Sequence, residues 1–420
     1  MEYQTFVQIL KEELVPAMGC TEPIALAYCA SLARKHLGVL PNKVLVEVSG
    51  NILKNVKSVV VPNTNGHKGI EAAVAAGILY GKSELVLQVI SQVTDEEKNA
   101  LDDFMNSCEF TVETCKSEEV LDIRITVYSG EEYAKVRIAR SHSQVALIEK
   151  NHEVIYECEL VEEKKAELAD RKSLSVEKII EFANSVEIND VKDVLQRQID
   201  FNTKIAEEGL KNPWGANVGK VLLNHYGNDV SIRARAMAAA GSDARMSGCE
   251  LPVIINSGSG NQGMTASLPV IEYAKELKVT DEKLYRALVV SNLITIHLKT
   301  GIGRLSAYCG VVSAGAGAAS GIAYLHGGDY DAIAHTIVNA LATVSGMICD
   351  GAKPSCAGKI ASAVEAGLLG YRMYVDGQQF YGGDGIISKG VENTIENIGR
   401  LGSDGMKETD EEIIRIMLSC

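Results

Sequence analysis

Ten cysteines are spread over the 420 residues, and two pairs of them share a spacing of seven residues. Cys108 and Cys115 lie in CEFTVETC, which alternates like a strand, so their odd separation sends the two thiols to opposite faces. Cys349 and Cys356 enclose DGAKPS, in which glycine and proline let the chain turn back on itself. Cys356 also opens a predicted helix, whose positive N-terminus favours a thiolate. This second pair can therefore share one metal centre.

A third thiolate would have to come from another part of the chain. Cys309, in RLSAYCGVVSAG, is the best candidate because it lies beside a glycine in the same helical region. Soft thiolate ligands suit both zinc and iron–sulfur clusters. The pattern C-x39-C-x6-C matches neither zinc-ribbon nor ferredoxin spacing, so spacing alone leaves the metal undecided. The alternative is that each cysteine simply packs in the core as a small apolar residue.

A fourth cysteine, Cys20, lies in the turn GCTEP between two helical segments. Thr21 can cap the following helix, and Glu22 and Pro23 fall in its first turn. A helix N-terminus lowers the pKa of a neighbouring thiol, whereas the negative charge of Glu22 opposes that effect. Cys20 is therefore either a reactive thiolate or a buried cysteine of the turn.

Two polar, glycine-containing turns precede helical segments and could bind an anion. Residues 258–263, GSGNQG, formally match the dinucleotide-binding pattern G-x-G-x-x-G and follow the apolar run LPVIIN. A dinucleotide fold also needs alternating strands and helices with an acidic residue ending the second strand, whereas Asp281 and Glu282 open another helix. A nest of backbone N–H groups for a carboxylate is the better interpretation, with a plain turn as the alternative. The turn VPNTNGHKGIEAA, at 61–73, is equally ambiguous, and its His67 is either a base or a solvated side chain.

Three regions with different periodicity must position these residues. Residues 2–37 have helical spacing interrupted by Pro16, Gly19 and Pro23, which predicts a helical hairpin. Alternating apolar residues from 43 to about 159 predict an α+β unit with an antiparallel sheet, interrupted by two helices. The rest of the chain has helical spacing and almost no strand pattern.

The charged segment EEKKAELADRKSLS, residues 162–175, is the predicted boundary between the sheet and the helical half. We predict an α+β fold class, with a mostly helical domain and a smaller α+β domain that contains the antiparallel sheet and is inserted after the hairpin. The predicted domains are 1–40 for the hairpin, which packs with the helical domain, 41–165 for the α+β domain, and 166–420 for the all-helical domain.

Composition excludes several classes of protein. Forty-one basic against 55 acidic residues give a formal net charge of −14, and only one Trp and six Phe are present, so no nucleic-acid partner is expected. The apolar stretch at 310–325 is shorter than the roughly twenty residues that a membrane span needs, so we predict a tightly packed core helix and no membrane partner. The N-terminus lacks the features of a signal peptide, and the cysteines are too dilute for a disulfide scaffold. We therefore expect a cytoplasmic protein with reduced thiols.

Four motifs together resemble one family. They are GCTEP at 19–23, SGSGNQG at 257–263, HLKTGIGRLSAYCG at 297–310 and MICDGAKPSCAGK at 347–359. Their combination resembles the L-cysteine desulfidase family, a sister group of the α chain of the iron–sulfur L-serine dehydratases. The similarity to the desulfidases covers nearly the whole chain, and that to the serine dehydratases lies mainly in the helical half.

The resemblance implies a [4Fe–4S] cluster held by Cys309, Cys349 and Cys356. Three protein ligands leave one iron open to act as a Lewis acid for a leaving group. The implied reaction is β-elimination on L-cysteine to pyruvate, ammonia and hydrogen sulfide without pyridoxal phosphate. L-Serine dehydration is the alternative within the same class, and a non-catalytic iron–sulfur redox sensor is the alternative from another class. The expected partners are a small amino-acid substrate and a second copy of the chain in a homodimer.

The same resemblance assigns roles to individual residues. Cys20 becomes the candidate base, acting as a thiolate. Cys420 would be either an inhibitory ligand of the open iron or part of a disordered tail, and Lys299 and Lys353, which are near the cluster cysteines in sequence, would either neutralise carboxylate or cluster charge or be solvated. The other cysteines are expected to pack in the core. The expected substrate-binding residues lie in the turns and near Cys309: Thr21, Glu22, Asn63, Thr64, Ser257, Gly258, Ser259, Gly260, Asn261, Gln262 and Lys299.

Overall fold

The structure is a computed structural model that describes residues 2–19, 21–117, 119, 121–158, 168–303 and 306–419. Its described residues form two hydrophobic cores, one around a sheet near the N-terminus and one among the helices of the second half. The α+β fold class is therefore confirmed. The predicted domain boundary overlaps residues 159–167, which lie outside the described residues, so the domain limits stay predictions.

The N-terminal segment contains α1 (Glu2–Glu13), β1 (Pro16–Met18) and α2 (Thr21–Leu37). Helix α1 buries one apolar face in the core of the helical half. Helix α2 carries the run IALAYCA, which is buried on all sides. It packs against the sheet and against the helix at Gly69–Tyr80. The two helices therefore belong to different cores, unlike the predicted hairpin that packs as one piece with the helical domain. Their different apolar faces account for this separation.

The described residues of the first half then continue through a strand, four α-helices, one 3-10 helix and five further strands. In chain order these are β2 (Lys43–Val48), α3 (Gly50–Val56), α4 (Gly69–Tyr80), a 3-10 helix (Ser83–Gln88), α5 (Asp95–Asn99), α6 (Leu101–Ser107), β3 (Glu109–Thr114), β4 (Asp122–Ser129), β5 (Glu132–Ala139), β6 (Val145–Lys150) and β7 (Glu153–Glu157).

The six strands form one sheet in the order β3-β2-β4-β5-β6-β7. Every neighbouring pair is antiparallel except β2 and β3, which run parallel with Val44 opposite Phe110. The sheet is thus mixed rather than purely antiparallel. The reason is the connection, because helices α3 to α6 carry the chain back across the sheet before β3 begins, as a parallel pair requires.

In the described residues, the helical half begins with a 3-10 turn at Arg171–Ser173 and contains one strand. Its elements are α7 (Val176–Ser185), α8 (Ile188–Lys211), α9 (Val218–Tyr226), α10 (Val230–Met246), β8 (Pro252–Ile254), α11 (Gly260–Leu277), α12 (Asp281–Ile302), α13 (Gly310–Leu325), α14 (Tyr330–Val344), α15 (Cys356–Val375), α16 (Val391–Arg400), a π-helical turn (Leu401–Gly405) and α17 (Lys407–Ser419).

Strand β8 departs from the predicted all-helical second half. It pairs antiparallel with β1, so that Ala17 lies opposite Val253. Three residues are too few for an alternating pattern to show in the sequence. This pairing ties the N-terminal segment to the helical half directly before the GCTEP turn.

Helix α13 is the tightly packed core helix that its composition predicts. A Cβ at Gly317 would lie 2.2 Å from Oγ1 of Thr295 on α12, and one at Gly315 would lie 2.5 Å from the carbonyl oxygen of Ala363 on α15. Its glycines therefore let α12 and α15 approach closely, which fixes the position of Cys309 at its N-terminus. No helix in the described part of the chain has the length and apolar composition needed to cross a membrane.

The C-terminal helix α17 returns to the first half of the chain and packs on α3. Lys54 of α3 forms an ion pair with Asp410, and the side chain of Ile414 lies against Gly50, where a Cβ would meet it at 2.8 Å. Lys57 also donates a hydrogen bond to the carbonyl of Met417. These contacts hold α3 against α17.

Candidate active site

A short antiparallel bridge places Cys309 beside Cys349. Tyr308 pairs with Ile348, the N–H of Cys309 donates to the carbonyl of Met347 at 3.0 Å, and the N–H of Cys349 donates to the carbonyl of Ala307 at 2.6 Å. Hydrogen bonding between the two thiols lowers the pKa of Cys349 and raises that of Cys309. The structure thus brings together two thiols that are forty residues apart in the sequence.

The turn between Cys349 and Cys356 brings the third thiol to the same place. Gly351 has a φ of 92°, and a Cβ there would lie 2.1 Å from the carbonyl oxygen of Lys54. Cys356 follows as the first residue of α15, with its Sγ 3.6 Å from the carbonyl oxygen of Gly351. Burial raises the pKa of the Cys356 thiol, and the negative charge of Cys349 raises it further. All three sulfurs therefore interact with one another.

Positive charge surrounds these thiols. Lys54 is only 2% exposed and, with Lys359, acts to lower the pKa of Cys349. Lys299, predicted from its motif, is 5% exposed. Burial lowers the pKa of Lys299 to about 8, while Cys349 and Cys309 act to raise it. These cations favour the thiolate form of Cys349, whereas the pKa values of Cys309 and Cys356 stay raised by hydrogen bonding to Cys349 and by burial.

Two lysines near the thiols also interact with the carboxylate of Asp350. Lys359 forms an ion pair with Asp350, and Lys353 lies 3.5 Å from the same carboxylate. Lys353 was predicted to neutralise the charge of the substrate carboxylate or of the cluster. In the structure its nearest described anionic partner is Asp350. The signal for Lys359 was present in the motif, because it ends the segment MICDGAKPSCAGK. Lys54 had no signal, since it lies on a helix from the other half of the chain.

The chemistry of the donors fits an iron–sulfur cluster. Among the residues that the structure describes, no three His, Cys, Asp or Glu side chains are placed to hold a single metal ion. The thiolates of a cluster bind separate iron atoms, so they do not converge on one point. Three interacting thiols with cations around them are therefore a suitable donor set for a cluster.

The predicted anion-binding loop is shorter than expected, because α11 begins at Gly260. Ser257 (φ 50°) and Gly258 (φ 80°) make the turn, and Ser259 caps the helix, its hydroxyl accepting the N–H of Gln262 at 3.4 Å. Gly260, Asn261 and Gln262 therefore form the first helical turn rather than a loop. The positive end of α11 and its first N–H groups lie at this point.

Gln262 connects this helix end to the thiols. A Cβ at Gly310 would lie 2.6 Å from Cδ of Gln262, so the amide group lies against the N-terminus of α13, directly after Cys309. Gln262 is buried, and its Oε1 has no hydrogen-bond partner in the described structure. A buried amide oxygen without a partner can accept a hydrogen bond from a ligand.

The second predicted turn uses its own side chains to hold its shape. The amide of Asn63 donates to the carbonyl of Ile90 at 2.8 Å, and the hydroxyl of Thr64 donates to the carbonyl of Val61 at 2.7 Å. His67 lies 2.9 Å from a carboxylate oxygen of Asp102. The side-chain groups of Asn63 and Thr64 are thus already bonded within the turn, and their substrate-binding role stays a prediction.

The GCTEP turn lies beside that second turn. A Cβ at Gly19 would lie 3.1 Å from Cγ of Pro62, which brings the two turns into contact. Helix α2 begins at Thr21, so Thr21 does not cap it, and its hydroxyl donates instead to Glu22 at 3.2 Å. The amide of Asn55 also donates to Glu22, at 3.4 Å. Cys20 and Cys420 lie outside the described residues, and their roles stay predictions.

Sequence reasoning missed Arg245, which contacts both the GCTEP turn and the first turn of α11. It lies in the last turn of α10 and is 8% exposed. Its Nη2 donates to the carbonyl of Gly19 at 3.0 Å, and its Nη1 donates to Oδ1 of Asn261 at 3.4 Å. The only signal in the sequence is a charged residue at the end of the alanine-rich helix SIRARAMAAAGSDARM, where the same charge could equally face solvent.

The chain belongs to the serine dehydratase alpha chain family, whose sequence model matches residues 84–415. The match starts in the 3-10 helix Ser83–Gln88, after the first strand of the sheet and before the other five, so it extends beyond the helical half to which the resemblance had mainly confined it. Family membership indicates a lyase.

Close relatives cover the whole chain. It is 65% identical to a UPF0597 protein of Desulfitobacterium hafniense over 417 residues, which are 99% of this chain and 97% of the relative. A UPF0597 protein of Lachnoclostridium phytofermentans is 51% identical over 99% of this chain and 100% of its own length. A UPF0597 protein of Treponema denticola is 45% identical over 99% of this chain and 98% of its own length. These names state no substrate.

Proposed function

We propose that the protein catalyses β-elimination on a small amino acid, with L-cysteine as the first candidate substrate. The observation that carries the proposal is the bridge at Tyr308 and Ile348, which sets Cys309 beside Cys349. Gln262, from the predicted carboxylate-binding motif, belongs to α11, and its side chain packs against the N-terminus of α13, where Cys309 lies. Membership of the serine dehydratase alpha chain family supports the reaction class.

Cys309, Cys349 and Cys356 would hold a [4Fe–4S] cluster. When bound with three protein ligands, such a cluster supplies an open iron that acts as a Lewis acid for the leaving group. Lys54, Lys299 and the other nearby cations support this assignment, because they offset the negative charge that three thiolates bring into a buried place.

The remaining groups bind and orient the substrate. The first-turn N–H groups of α11 favour the substrate carboxylate. Oε1 of Gln262 accepts a hydrogen bond from the substrate ammonium, which gives this buried oxygen a partner. Lys299 adds a positive charge near Cys309 and Cys349.

Cys20, as a thiolate, would remove the α-proton. The electron pair of the broken C–H bond forms the new double bond, and the β-substituent leaves with the electrons of its own bond. The aminoacrylate that remains takes up water and yields pyruvate and ammonia. In sum, L-cysteine and water give pyruvate, ammonia and hydrogen sulfide.

L-Serine is the second candidate, because the matching family is described as the serine dehydratase alpha chain. The same groups would then release the β-hydroxyl as water. No described contact distinguishes a thiol from a hydroxyl at the β-carbon, so the two substrates must be separated by assay.

The test is anaerobic purification and reconstitution with iron and sulfide, followed by a pyruvate assay with each substrate. We expect pyruvate from L-cysteine, and we expect Ala at 309, 349 or 356 to remove both the cluster absorbance and the activity. Cys249→Ala is the matched control, since Cys249 is a buried core cysteine outside the site. Pyruvate from neither substrate, with the cluster intact, would overturn the proposal and favour a redox sensor.

A further inference from the structure

Arg245 is a buried cation whose hydrogen bonds go only to neutral groups. It is 8% exposed, and its described acceptors are the carbonyl of Gly19 and the side-chain oxygen of Asn261. Its Nε is buried without a hydrogen-bond partner. Within the described ranges, no carboxylate lies at ion-pair distance from it. A guanidinium that is removed from water without a counter-charge is unfavourable.

Arg235, on the same helix, shows the usual solution. Its guanidinium lies 3.0 Å from the carboxylate of Glu365, so its charge is compensated within the protein. The C-terminal end of α10 offsets part of the Arg245 charge, because a helix C-terminus is negative. A helix end does not replace a carboxylate, which can accept two parallel hydrogen bonds from a guanidinium. Arg245 therefore remains a site that favours an added anion.

The place that this anion would occupy is defined by two motifs. The guanidinium lies against Gly260, where a Cβ would meet Nε at 2.5 Å and Cζ at 2.8 Å. Gly260 is the first residue of α11, so the cation and the positive end of that helix lie together. The hydrogen bond to Gly19 brings the same guanidinium to the GCTEP turn.

The residue that follows Arg245 connects it to the thiols. Met246 is buried in a small cluster with Val59, against which Ala352 and Cys356 pack. Its sulfur also accepts a hydrogen bond from the amide of Asn261 at 3.6 Å. Met246 thus follows Arg245 in the chain and belongs to the cluster against which Cys356 packs. An anion bound to Arg245 would therefore lie at the edge of the proposed active site.

We propose that Arg245 binds the α-carboxylate of the substrate. This inference rests on the proposed function, because it takes the ligand to be a small 2-amino acid. It adds a specificity rule: the site accepts a free carboxylate and discriminates against the corresponding amide or ester. A planar guanidinium fixed by two hydrogen bonds is suited to this role, since little freedom is lost when the carboxylate binds.

The test uses two probes that lack a leaving group. L-Alanine carries the ammonium and the carboxylate, and L-alaninamide carries the same ammonium with a neutral amide. Binding of each to the full chain is measured by calorimetry, for the wild type, Arg245→Met, Arg245→Lys and the control Arg235→Met. Circular dichroism and thermal unfolding show that each variant is folded. The KM and kcat for elimination are measured on the reconstituted protein in parallel.

We expect the wild type to bind L-alanine more tightly than L-alaninamide. Arg245→Met should weaken L-alanine binding about 10- to 100-fold, the usual size of one charged hydrogen bond, and abolish the preference for the carboxylate. Arg245→Lys should keep part of the affinity, because it retains the charge without the fork. Arg235→Met should leave L-alanine binding unchanged, and the loss in Arg245→Met should appear in KM.

Three outcomes would overturn the inference. They are absence of L-alanine binding to the wild type, unchanged L-alanine binding in Arg245→Met, and equal weakening of both probes, which would make Arg245 a brace between Gly19 and Asn261 only. Failure of the proposed function has a different signature. In that case no pyruvate is formed from L-cysteine or L-serine, while L-alanine binding still depends on Arg245, which supports the carboxylate site and overturns the elimination.

Discussion

Replacement of Gly351, in the turn between Cys349 and Cys356, by alanine should destabilise the protein. Alanine there would be strained in two ways, because the φ of 92° belongs to the left-handed region and the new Cβ would lie 2.1 Å from the carbonyl oxygen of Lys54. The backbone strain costs about 1–2 kcal/mol. The overlap forces a backbone shift worth about 1–3 kcal/mol more. We expect Gly351→Ala to lower the free energy of unfolding by about 2–5 kcal/mol.

A matched control separates these two contributions. Gly377 follows the same helix α15 with a φ of 69°, and a Cβ there would meet nothing within 4 Å. Gly377→Ala should therefore show only the backbone strain of about 1–2 kcal/mol. Both variants are compared by urea unfolding and by iron content after anaerobic reconstitution. Only Gly351→Ala should lose iron, because only it moves the segment between two proposed cluster ligands.

The refuting result is specific. If Gly351→Ala is no less stable than Gly377→Ala and binds a full complement of iron, the close approach of Gly351 to α3 does not position the thiols. The role that we assign to α3 in shaping the site would then be wrong.

Two further predictions concern buried ion pairs. Burial acts to raise the pKa of Asp122, but hydrogen bonds from Arg137 and Arg124 bring it below its usual value, so its stabilising effect is present above the unfolded pKa and is lost as the pH falls through the folded pKa. Asp122→Asn should cost about 2–4 kcal/mol at pH 7, and the cost should shrink as the pH falls through the lowered folded pKa of Asp122, as measured by urea unfolding over a series of decreasing pH values; a cost that does not change with pH would contradict the ion-pair account. Asp410→Asn leaves the buried Lys54 without its described partner, which should loosen α17 and speed amide exchange in that helix while exchange in α12 stays unchanged. Unchanged exchange in α17 would show that Asp410 does not anchor it.

Local patterns predicted a good part of this molecule. Alternation identified the region of the sheet strands, and small residues identified α13 as a core helix. The turn-forming residues between Cys349 and Cys356 indicated that these thiols can meet. Each of these features depends on residues that are near one another in the chain.

Features set by distant contacts were not predictable in the same way. The pairing of β1 with β8 involves three residues on each side, too few to give a pattern. The parallel pair of β2 and β3 follows from how a long connection crosses the sheet, which periodicity does not record. Arg245 is notable only because its neighbours come from two other segments, Gly19 and Asn261. A single sequence holds no direct record of such neighbours.

The ratio of products from L-cysteine tests the central claim most directly. Anaerobically reconstituted protein is given L-cysteine, and pyruvate and sulfide are measured in the same sample. β-Elimination predicts equal amounts of the two products, with both lost when Cys349 is replaced by Ala and both kept in Cys249→Ala. Sulfide release without pyruvate, or no release of either product from a sample that holds an intact cluster, would contradict the account.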